Sequence, residues 1–386
     1  MSTRGRHRFG IAALLLAILA VGACGAPGLS LQQRLVDPRL SQAPLPADRF
    51  ALEEALGLPD LRFRTRAGLA LSYTFVEPAR YGLRVEVERG THSRFHFTAS
   101  APEAPAIEAR GSVLMLHGWG MERSSLYPWA LYLAEQGYRV LLVDLRSHGR
   151  SADAPPGYGR HEAADLAELL DALDADSSLP APLHLLGVSY GGASAAHLLA
   201  LRPQRFAGVL LMEPFANAGE AIRDMVPALL QAEDAPLWRR PLLALLSLQY
   251  SPQRVETAIA ASSAQLGIEL DDVELAPLLS ASPACIALLH GRRDRHVRVE
   301  HARSLAGAVP AIRFSELPHE DHLSLPLRLD WLGTPIAAWL RDSEQAQAAE
   351  RACPQLALPV DPLLASAPPQ PAPLRLQDVH FGLAAQ

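Results

Sequence analysis

The stretch from Leu183 to Leu199 constrains the fold of this chain more than any other part of the sequence. It reads LHLLGVSYGGASAAHLL, an apolar run followed by small and apolar residues at helical spacing. The run from His184 to Val188 is typical of a strand buried on both faces, and the remainder is typical of a helix. Ser189 stands at the junction, so the pattern predicts a serine at the tip of a strand-to-helix turn.

Two glycines, Gly187 and Gly191, flank Ser189. Because glycine has no Cβ, it avoids the clash that arises where the chain doubles back, and the serine hydroxyl is pushed into the open. The first amides of the following helix point at the same place, where they would stabilise negative charge on a substrate oxygen. Small-residue turns also precede helices for packing alone, so this pattern by itself leaves both interpretations open.

The pattern resembles the nucleophile elbow of the α/β-hydrolase family, in which Gly-x-Ser-x-Gly follows a strand and precedes a helix. From Ser112 to Leu201 the sequence alternates between strand and helix patterns, which favours a parallel sheet with right-handed crossovers. The resemblance implies an α/β-hydrolase fold, with a mostly parallel central sheet, helices on both faces and a helical cap insertion. It covers roughly residues 112 to 342.

A second motif, His117-Gly118-Trp119-Gly120, follows the predicted buried strand from Ser112 to Leu116. In the family that this chain resembles, such a loop supplies one backbone N–H to the oxyanion hole, and the residue after the nucleophile supplies another. The resemblance therefore implies the main-chain amides of Trp119 and Tyr190 as oxyanion donors, with His117 and Gly118 in structural roles. The glycines could instead serve only a tight turn.

The acid and the base are expected after later strands. The segment from His290 to Val297, HGRRDRHV, is similar to the acid motif of the family, so the resemblance implies Asp294 as the carboxylate that orients the base. The neighbouring arginines would either help to keep Asp294 ionised or be solvated.

Two histidines, His319 and His322, follow the last predicted strand. The family position of the base, just before a hydrophobic residue and a helix, favours His322. Asp321 stands where the family often has glycine. Ser189, Asp294 and His322 then occur in the nucleophile, acid, base order of the family.

Two other polar residues close to these motifs are assigned to structure. His148 lies in DLRSHGRS, from Asp144 to Ser151, a loop that resembles a structural turn of the family. Glu213 follows the predicted strand from Phe206 to Met212, where it would cap the turn, face the substrate or act as a second triad acid. Of these three roles, capping is favoured.

These residues together predict a serine hydrolase that transfers an acyl group from a carboxylic ester to Ser189 and then to water, without a metal or a cofactor. The leucine-rich insertion at 216–277 predicts a lid that favours a small-molecule ester or lipid-like substrate with an apolar acyl group; the same leucines would equally pack the lid on the body. A thioesterase, a peptidase or a cofactor-free haloperoxidase would carry the same triad. An inactive scaffold that binds a ligand or an envelope partner is the alternative outside the enzymes.

Composition excludes other chemistry. The sequence contains no lysine, so all 35 basic residues are arginine, and mechanisms that need a lysine, such as Schiff bases and serine–lysine dyads, are excluded. A net charge of -6 without a basic stripe argues against a nucleic-acid partner. The sequence does not predict an oligomeric state.

The N-terminus has the layout of an export signal. Arginines at positions 4, 6 and 8 precede an apolar run from Ile11 to Val21 that is too short for a membrane span. The run ends in VGAC, which resembles the lipobox of bacterial lipoproteins, so residues 1–23 are predicted to be a signal peptide and Cys24 to be lipidated. Gly25 then implies anchoring in the outer membrane of the cell envelope, on the periplasmic side. A secretory signal without lipidation is the alternative.

The remaining chain is predicted to divide into a tether (24–49), a first core part that opens with antiparallel strands leading into the sheet (50–215), the lid (216–277), a second core part (278–342) and a Pro/Ala-rich tail (343–386). After Pro354 the tail is expected to be extended or disordered. If lipid occupies Cys24, Cys285 and Cys353 are left. Two inert thiols are favoured over a disulfide, because Cys285 opens a predicted buried strand and Cys353 lies in the tail.

Overall fold

The computed structural model describes residues 30–42, 49–89, 93–102, 104, 106–230, 247, 250–362 and 379–383. The predicted signal peptide, Cys24 and residues 231–246, 248 and 249 of the predicted lid lie outside these ranges. Within them, no helix combines the length and the apolar character that crossing a membrane requires.

Two sheets are built from the strands of the described chain. In chain order these strands are β1 (Leu61–Arg64), β2 (Ala70–Val76), β3 (Arg84–Arg89), β4 (Ser93–Ala99), β5 (Gly111–Leu116), β6 (Tyr138–Asp144), β7 (Leu183–Val188), β8 (Phe206–Met212), β9 (Cys285–Gly291), β10 (Arg313–Leu317) and β11 (Val379–Leu383). The central sheet has the order β1-β2-β6-β5-β7-β8-β9-β10. From β6 to β10 all neighbours are parallel, whereas β1 and β2 join as antiparallel strands. The predicted mostly parallel sheet is confirmed.

Helices cover both faces of this sheet. In chain order they are α1 (Leu31–Val36), α2 (Arg49–Ala55), α3 (Tyr127–Glu135), α4 (Arg160–Ala175), α5 (Tyr190–Leu201), α6 (Ala218–Leu230), α7 (Pro252–Leu266), α8 (Ala276–Ser280), α9 (Val299–Ala308) and α10 (Leu329–Ala348). One hydrophobic core includes residues of α4, α5 and the lid, and the other includes residues of α3 and α10. Strands β5, β7, β8 and β9 are therefore buried at every residue, which explains their continuous apolar runs.

The segment between β8 and β9 interrupts the strand-helix alternation. Its described part consists of α6, α7 and α8 with a short 3₁₀ helix, Leu270–Asp272, between the last two. Arg223 of α6 forms salt bridges with Glu256 of α7 and with Asp271, and Ile222 and Ile259 lie in the core. These contacts hold the described lid helices against one another and against the body.

The predicted tether is wrong for residues 30–42, which are folded onto the body. Helix α1 has a capping box at Ser30 and buries Leu35, and the hydroxyl of Tyr158 donates a hydrogen bond to the Leu35 carbonyl. The side chains of Gln32 and Gln265 connect α1 to lid helix α7. A six-residue helix is too short to show a helical period in the sequence, so its folding depends on contacts from distant parts of the chain.

The predicted N-terminal strands also divide differently from expectation. Strands β3 and β4 form a separate sheet in the order β11-β4-β3, instead of leading into the central sheet. Strand β11 comes from the tail and pairs with β4 in parallel. Residues 379–383 of the tail are therefore extended, as one of the two expectations had it, but they are paired in a sheet and are not disordered.

The favoured interpretation of the two cysteines is also wrong, because Cys285 and Cys353 form a disulfide. After α10 the chain turns back along the body, where Leu356 is buried and the Trp339 indole donates to the Pro354 carbonyl. This return brings Cys353 to the first residue of β9, with 5.3 Å between the two Cα atoms. The start of the tail is thus part of the packed body.

We expect Cys353→Ser to lower the free energy of unfolding by about 2–4 kcal/mol, because the disulfide closes a long loop in the unfolded chain. The measurement is denaturant unfolding with and without a reductant. Reductant should destabilise the wild type and leave the variant unchanged. Equal midpoints for both proteins under both conditions would contradict the crosslink.

Candidate active site

Ser189 occupies a sharp turn between β7 and α5. Its backbone has φ 51° and ψ -115°, in the region with positive φ that non-glycine residues rarely adopt. The amide of Ser189 donates to the Met212 carbonyl of the neighbouring strand β8 at 2.8 Å. The strained serine is therefore held in place by the central sheet, as a nucleophile elbow requires.

Close backbone contacts require glycine on both sides of Ser189. A Cβ on Gly187 would lie 2.4 Å from the carbonyl oxygen of Gly191, and a Cβ on Gly191 would lie 2.2 Å from that of Leu116. Both distances are far shorter than a van der Waals contact. The turn can therefore close only with glycine at both positions.

The three side chains predicted to form a triad lie in contact. His322 Nε2 is 3.0 Å from Ser189 Oγ, and His322 Nδ1 is 2.6 Å from Asp294 Oδ2. A proton on Nδ1 would be donated to the carboxylate, which leaves Nε2 to accept the proton of the serine hydroxyl. The side chain of Asp294 is fully buried, whereas that of His322 is 14% exposed, so only the end of this hydrogen-bonded chain away from Asp294 reaches the surface.

Asp294 is held by its own loop and by a second histidine. Its Oδ1 accepts hydrogen bonds from the amides of His296 and Val297, and its Oδ2 lies 3.2 Å from His290 Nε2. Burial alone would raise the pKa of Asp294, but the charge of His322 and the hydrogen bonds from both histidines outweigh burial and hold that pKa well below its ordinary value. The two histidines are thus the main groups that keep Asp294 ionised.

The loop that carries His322 is stabilised by Asp321, the residue at the position where glycine was expected. Asp321 Oδ1 accepts hydrogen bonds from the amides of Leu323 and Ser324, which forms a tight turn around His322. His296 stacks on the ring of His322, with 5.1 Å between the ring centroids. Burial and the nearby His322 lower the pKa of His296 to about 4, so this stacked ring is neutral at pH 7. The sequence pattern indicates no role for His290 or His296, although both stand within the acid motif.

The loop of His117 and Gly118 lies directly against Ser189. A Cβ on Gly118 would be 3.5 Å from the Cβ of Ser189. His117 is fully buried; its Nδ1 donates to the Gly118 carbonyl and its Nε2 accepts from the Leu145 amide. Burial lowers the pKa of His117, so the ring stays neutral and fixes the loop.

The two residues implied as oxyanion donors are neighbours. Tyr190 is the first residue of α5, so its amide has no acceptor within the helix. The rings of Trp119 and Tyr190 pack with their centroids 5.0 Å apart. The Tyr158 amide donates to the Tyr190 hydroxyl, and His148 is buried against the same rings, with its Nδ1 bonded to the Arg146 carbonyl. His148 thus has structural contacts, as expected.

The chain is similar in sequence to a family of known proteins. The sequence profile of the Alpha/beta hydrolase family matches residues 113–332, more than half of the chain. The protein belongs to the α/β-hydrolase family. It is 33% identical over 140 residues to Lipase LipV of Mycobacterium tuberculosis, which is 36% of this chain and 49% of the lipase. It is also 35% identical over 117 residues to an epoxide hydrolase of Caballeronia sordidicola, which is 28% of this chain and 33% of that enzyme.

These matches span about half or less of each relative. Among solved structures, an esterase of Pyrococcus furiosus superimposes with a TM-score of 0.50 at 16% identity, over 81% of this chain and 97% of the esterase. At this identity the likeness concerns the fold alone. It agrees with the parallel sheet and helical layers described above.

Glu213 is an additional carboxyl group at the site of this α/β hydrolase. It follows β8 with a positive φ of 54° and is fully buried. Among the residues that the structure describes, its Oε2 has no hydrogen-bond partner and lies 3.7 Å from His322 Nδ1, whereas its Oε1 is 3.4 Å from the Gly291 amide. Burial and the negative charge of Asp294 raise the pKa of Glu213 well above its ordinary value. A neutral Glu213 places no second negative charge beneath the histidine.

We expect Glu213→Gln to stabilise this α/β hydrolase increasingly as the pH rises above about 4.5. The folded state retains a proton on Glu213 that the unfolded state releases, so the wild type loses stability with rising pH, at up to about 1.4 kcal/mol per pH unit. Glutamine cannot ionise and avoids this loss. Unfolding free energies of both proteins between pH 4 and 8 test the prediction. A difference that is constant over this range would contradict a protonated Glu213.

Proposed function

We propose that this protein is a serine hydrolase that cleaves carboxylic esters with an apolar acyl group, through Ser189, Asp294, His322 and an acyl-enzyme intermediate. The observation that carries the proposal is the position of one imidazole, hydrogen-bonded to a buried carboxylate on one side and to a strained, accessible serine on the other. An inactive scaffold would have no need for this alignment or for the backbone strain at Ser189.

In the first half of the reaction, His322 Nε2 takes the proton of the Ser189 hydroxyl as the oxygen attacks the ester carbonyl. The carbonyl oxygen becomes an oxyanion, for which the Trp119 and Tyr190 amides are the proposed donors. Asp294 stabilises the imidazolium without taking its proton. The imidazolium then protonates the leaving alcohol, which departs and leaves the acyl group on Ser189.

In the second half, His322 takes a proton from a water molecule that attacks the acyl group. The oxyanion forms again in the same position, and the proton returns to Ser189 as the carboxylic acid leaves. Every proton passes through one nitrogen of His322. The mechanism therefore needs only groups that this chain supplies.

The preference for an apolar acyl group is supported by the lid. Its helix α6 carries Met225 and Leu230, which are only partly buried against the core, while Ile222 and Val226 of the same helix are packed within it. The lid thus has apolar side chains for its own packing and others at its surface. The names of the relatives, a lipase and an esterase, agree with an ester substrate.

We expect p-nitrophenyl esters of increasing chain length to be hydrolysed, with kcat/KM higher for butyrate to octanoate than for acetate. Ser189→Ala and His322→Ala should each lower kcat by roughly 10⁴-fold or more. His319→Ala is the matched control in the same loop and should keep activity within about twofold. A folded wild type that neither hydrolyses these esters nor reacts with a fluorophosphonate probe would overturn the proposal.

We also propose that the protein is anchored in the bacterial cell envelope by lipid on Cys24. The support is the VGAC motif after a basic and apolar leader. In a bacterial host, radiolabelled palmitate should enter the wild type and not Cys24→Ala. Secretion of an unlabelled wild type would instead favour the ordinary secretory signal.

A further inference from the structure

A buried arginine lies beside the loop of the base. The side chain of Arg328 has no solvent exposure and contacts three carboxylates, those of Glu320, Asp330 and Asp361. Asp361 binds it with both oxygens, at 2.7 and 3.1 Å. Taking an arginine out of water is costly, and the paired carboxylates offset that cost only while the geometry holds. The burial of Arg328 is therefore stable only while all of its carboxylate partners stay in place.

Glu320 connects this unit to the catalytic loops. It stands two residues before His322 and is buried, and its Oε2 accepts a hydrogen bond from the Ser324 hydroxyl. Its backbone carbonyl accepts from the Arg293 amide, next to Asp294. A Cβ on Gly291 would lie 2.4 Å from that carbonyl oxygen, so the loops of the acid and the base touch at Glu320.

Asp361 comes from a part of the chain that the family match, ending at residue 332, does not include. The segment that carries it is attached to the body at several points. The disulfide joins Cys353 to the first residue of β9, the strand that leads to Asp294, and the Trp331 indole donates to the Pro359 carbonyl. The segment is thus fixed to the acid strand at one end and to Arg328 at the other.

We propose that Asp361, a residue of the C-terminal segment, is a positioning residue for His322 and acts through Arg328 and Glu320. The inference rests on the proposed function, because positioning matters only if His322 is the base. A displacement of about 1 Å at a reacting group can cost about 100-fold in rate. The loss of one partner of Arg328 would displace the loop without touching the substrate.

We expect Asp361→Asn to lower kcat by about 10- to 100-fold with little change in KM. The matched control is Leu356→Ala, which creates a cavity in the same segment and lowers the unfolding temperature but leaves the ion pairs intact. Leu356→Ala should keep kcat within about twofold. Asp361→Glu, which retains the carboxylate, should lie between Asp361→Asn and the wild type, and it replaces Asp361→Asn if that variant does not fold.

A second readout does not depend on turnover. The His322 Nδ1 proton, bonded to Asp294, should give a far-downfield proton resonance in the wild type and in Leu356→Ala, and should shift or broaden in Asp361→Asn. If the wild type shows the resonance but hydrolyses no ester, the proposed function fails and the NMR comparison still tests the positioning. Equal kcat and an unchanged resonance in folded Asp361→Asn would overturn the inference.

Discussion

One imidazole ring must reach a carboxylate and a hydroxyl that are 105 residues apart in the chain. The parallel sheet makes this possible, because the strands β7, β9 and β10 end at the same edge and deliver Ser189, Asp294 and His322 to adjacent loops. Because the hydrogen-bond distances are 2.6 and 3.0 Å, a displacement of any of the three loops would break at least one of these hydrogen bonds. The rest of the structure fixes the positions of these three loops.

The three loops are kept in place by backbone conformations and buried carboxyl groups that would each be unfavourable on their own. Ser189 and Glu213 both have positive φ, and two carboxyl groups are buried near the same histidine. Strained residues and buried charges persist only where the surroundings determine them fully. Here the surroundings are four strands buried at every residue and two hydrophobic cores, one on each face of the sheet. Because Glu213 keeps its proton, it does not repel the negative charge of the nearby Asp294.

The motifs that could be predicted are local ones. The nucleophile turn, the loop of Trp119, the acid segment and the choice of His322 each depend on neighbours within about ten residues, and the order of strands then brings them together. The same applies to the buried strands, whose apolar runs are continuous. Local patterns therefore located the three side chains whose contact the structure shows.

The features that could not be predicted depend on distant contacts. Helix α1 shows no period in six residues and folds because α7 and Tyr158 are beside it. The pairing of Cys285 with Cys353 and the contact of Asp361 with Arg328 require knowledge of where the chain returns after α10. The sheet of β11, β4 and β3 joins residues nearly 300 positions apart. Spacing along the sequence carries none of this information.

The central claim is that Ser189 attacks a carbonyl whose oxygen lies between the Trp119 and Tyr190 amides. A crystal structure of the protein after reaction with an alkyl phosphonate tests it most directly. We expect a covalent bond from Ser189 Oγ to phosphorus, with the phosphonyl oxygen about 2.7–3.1 Å from both amides and His322 still bonded to Asp294. Phosphorus attached to another residue, or a phosphonyl oxygen turned away from both amides, would contradict it.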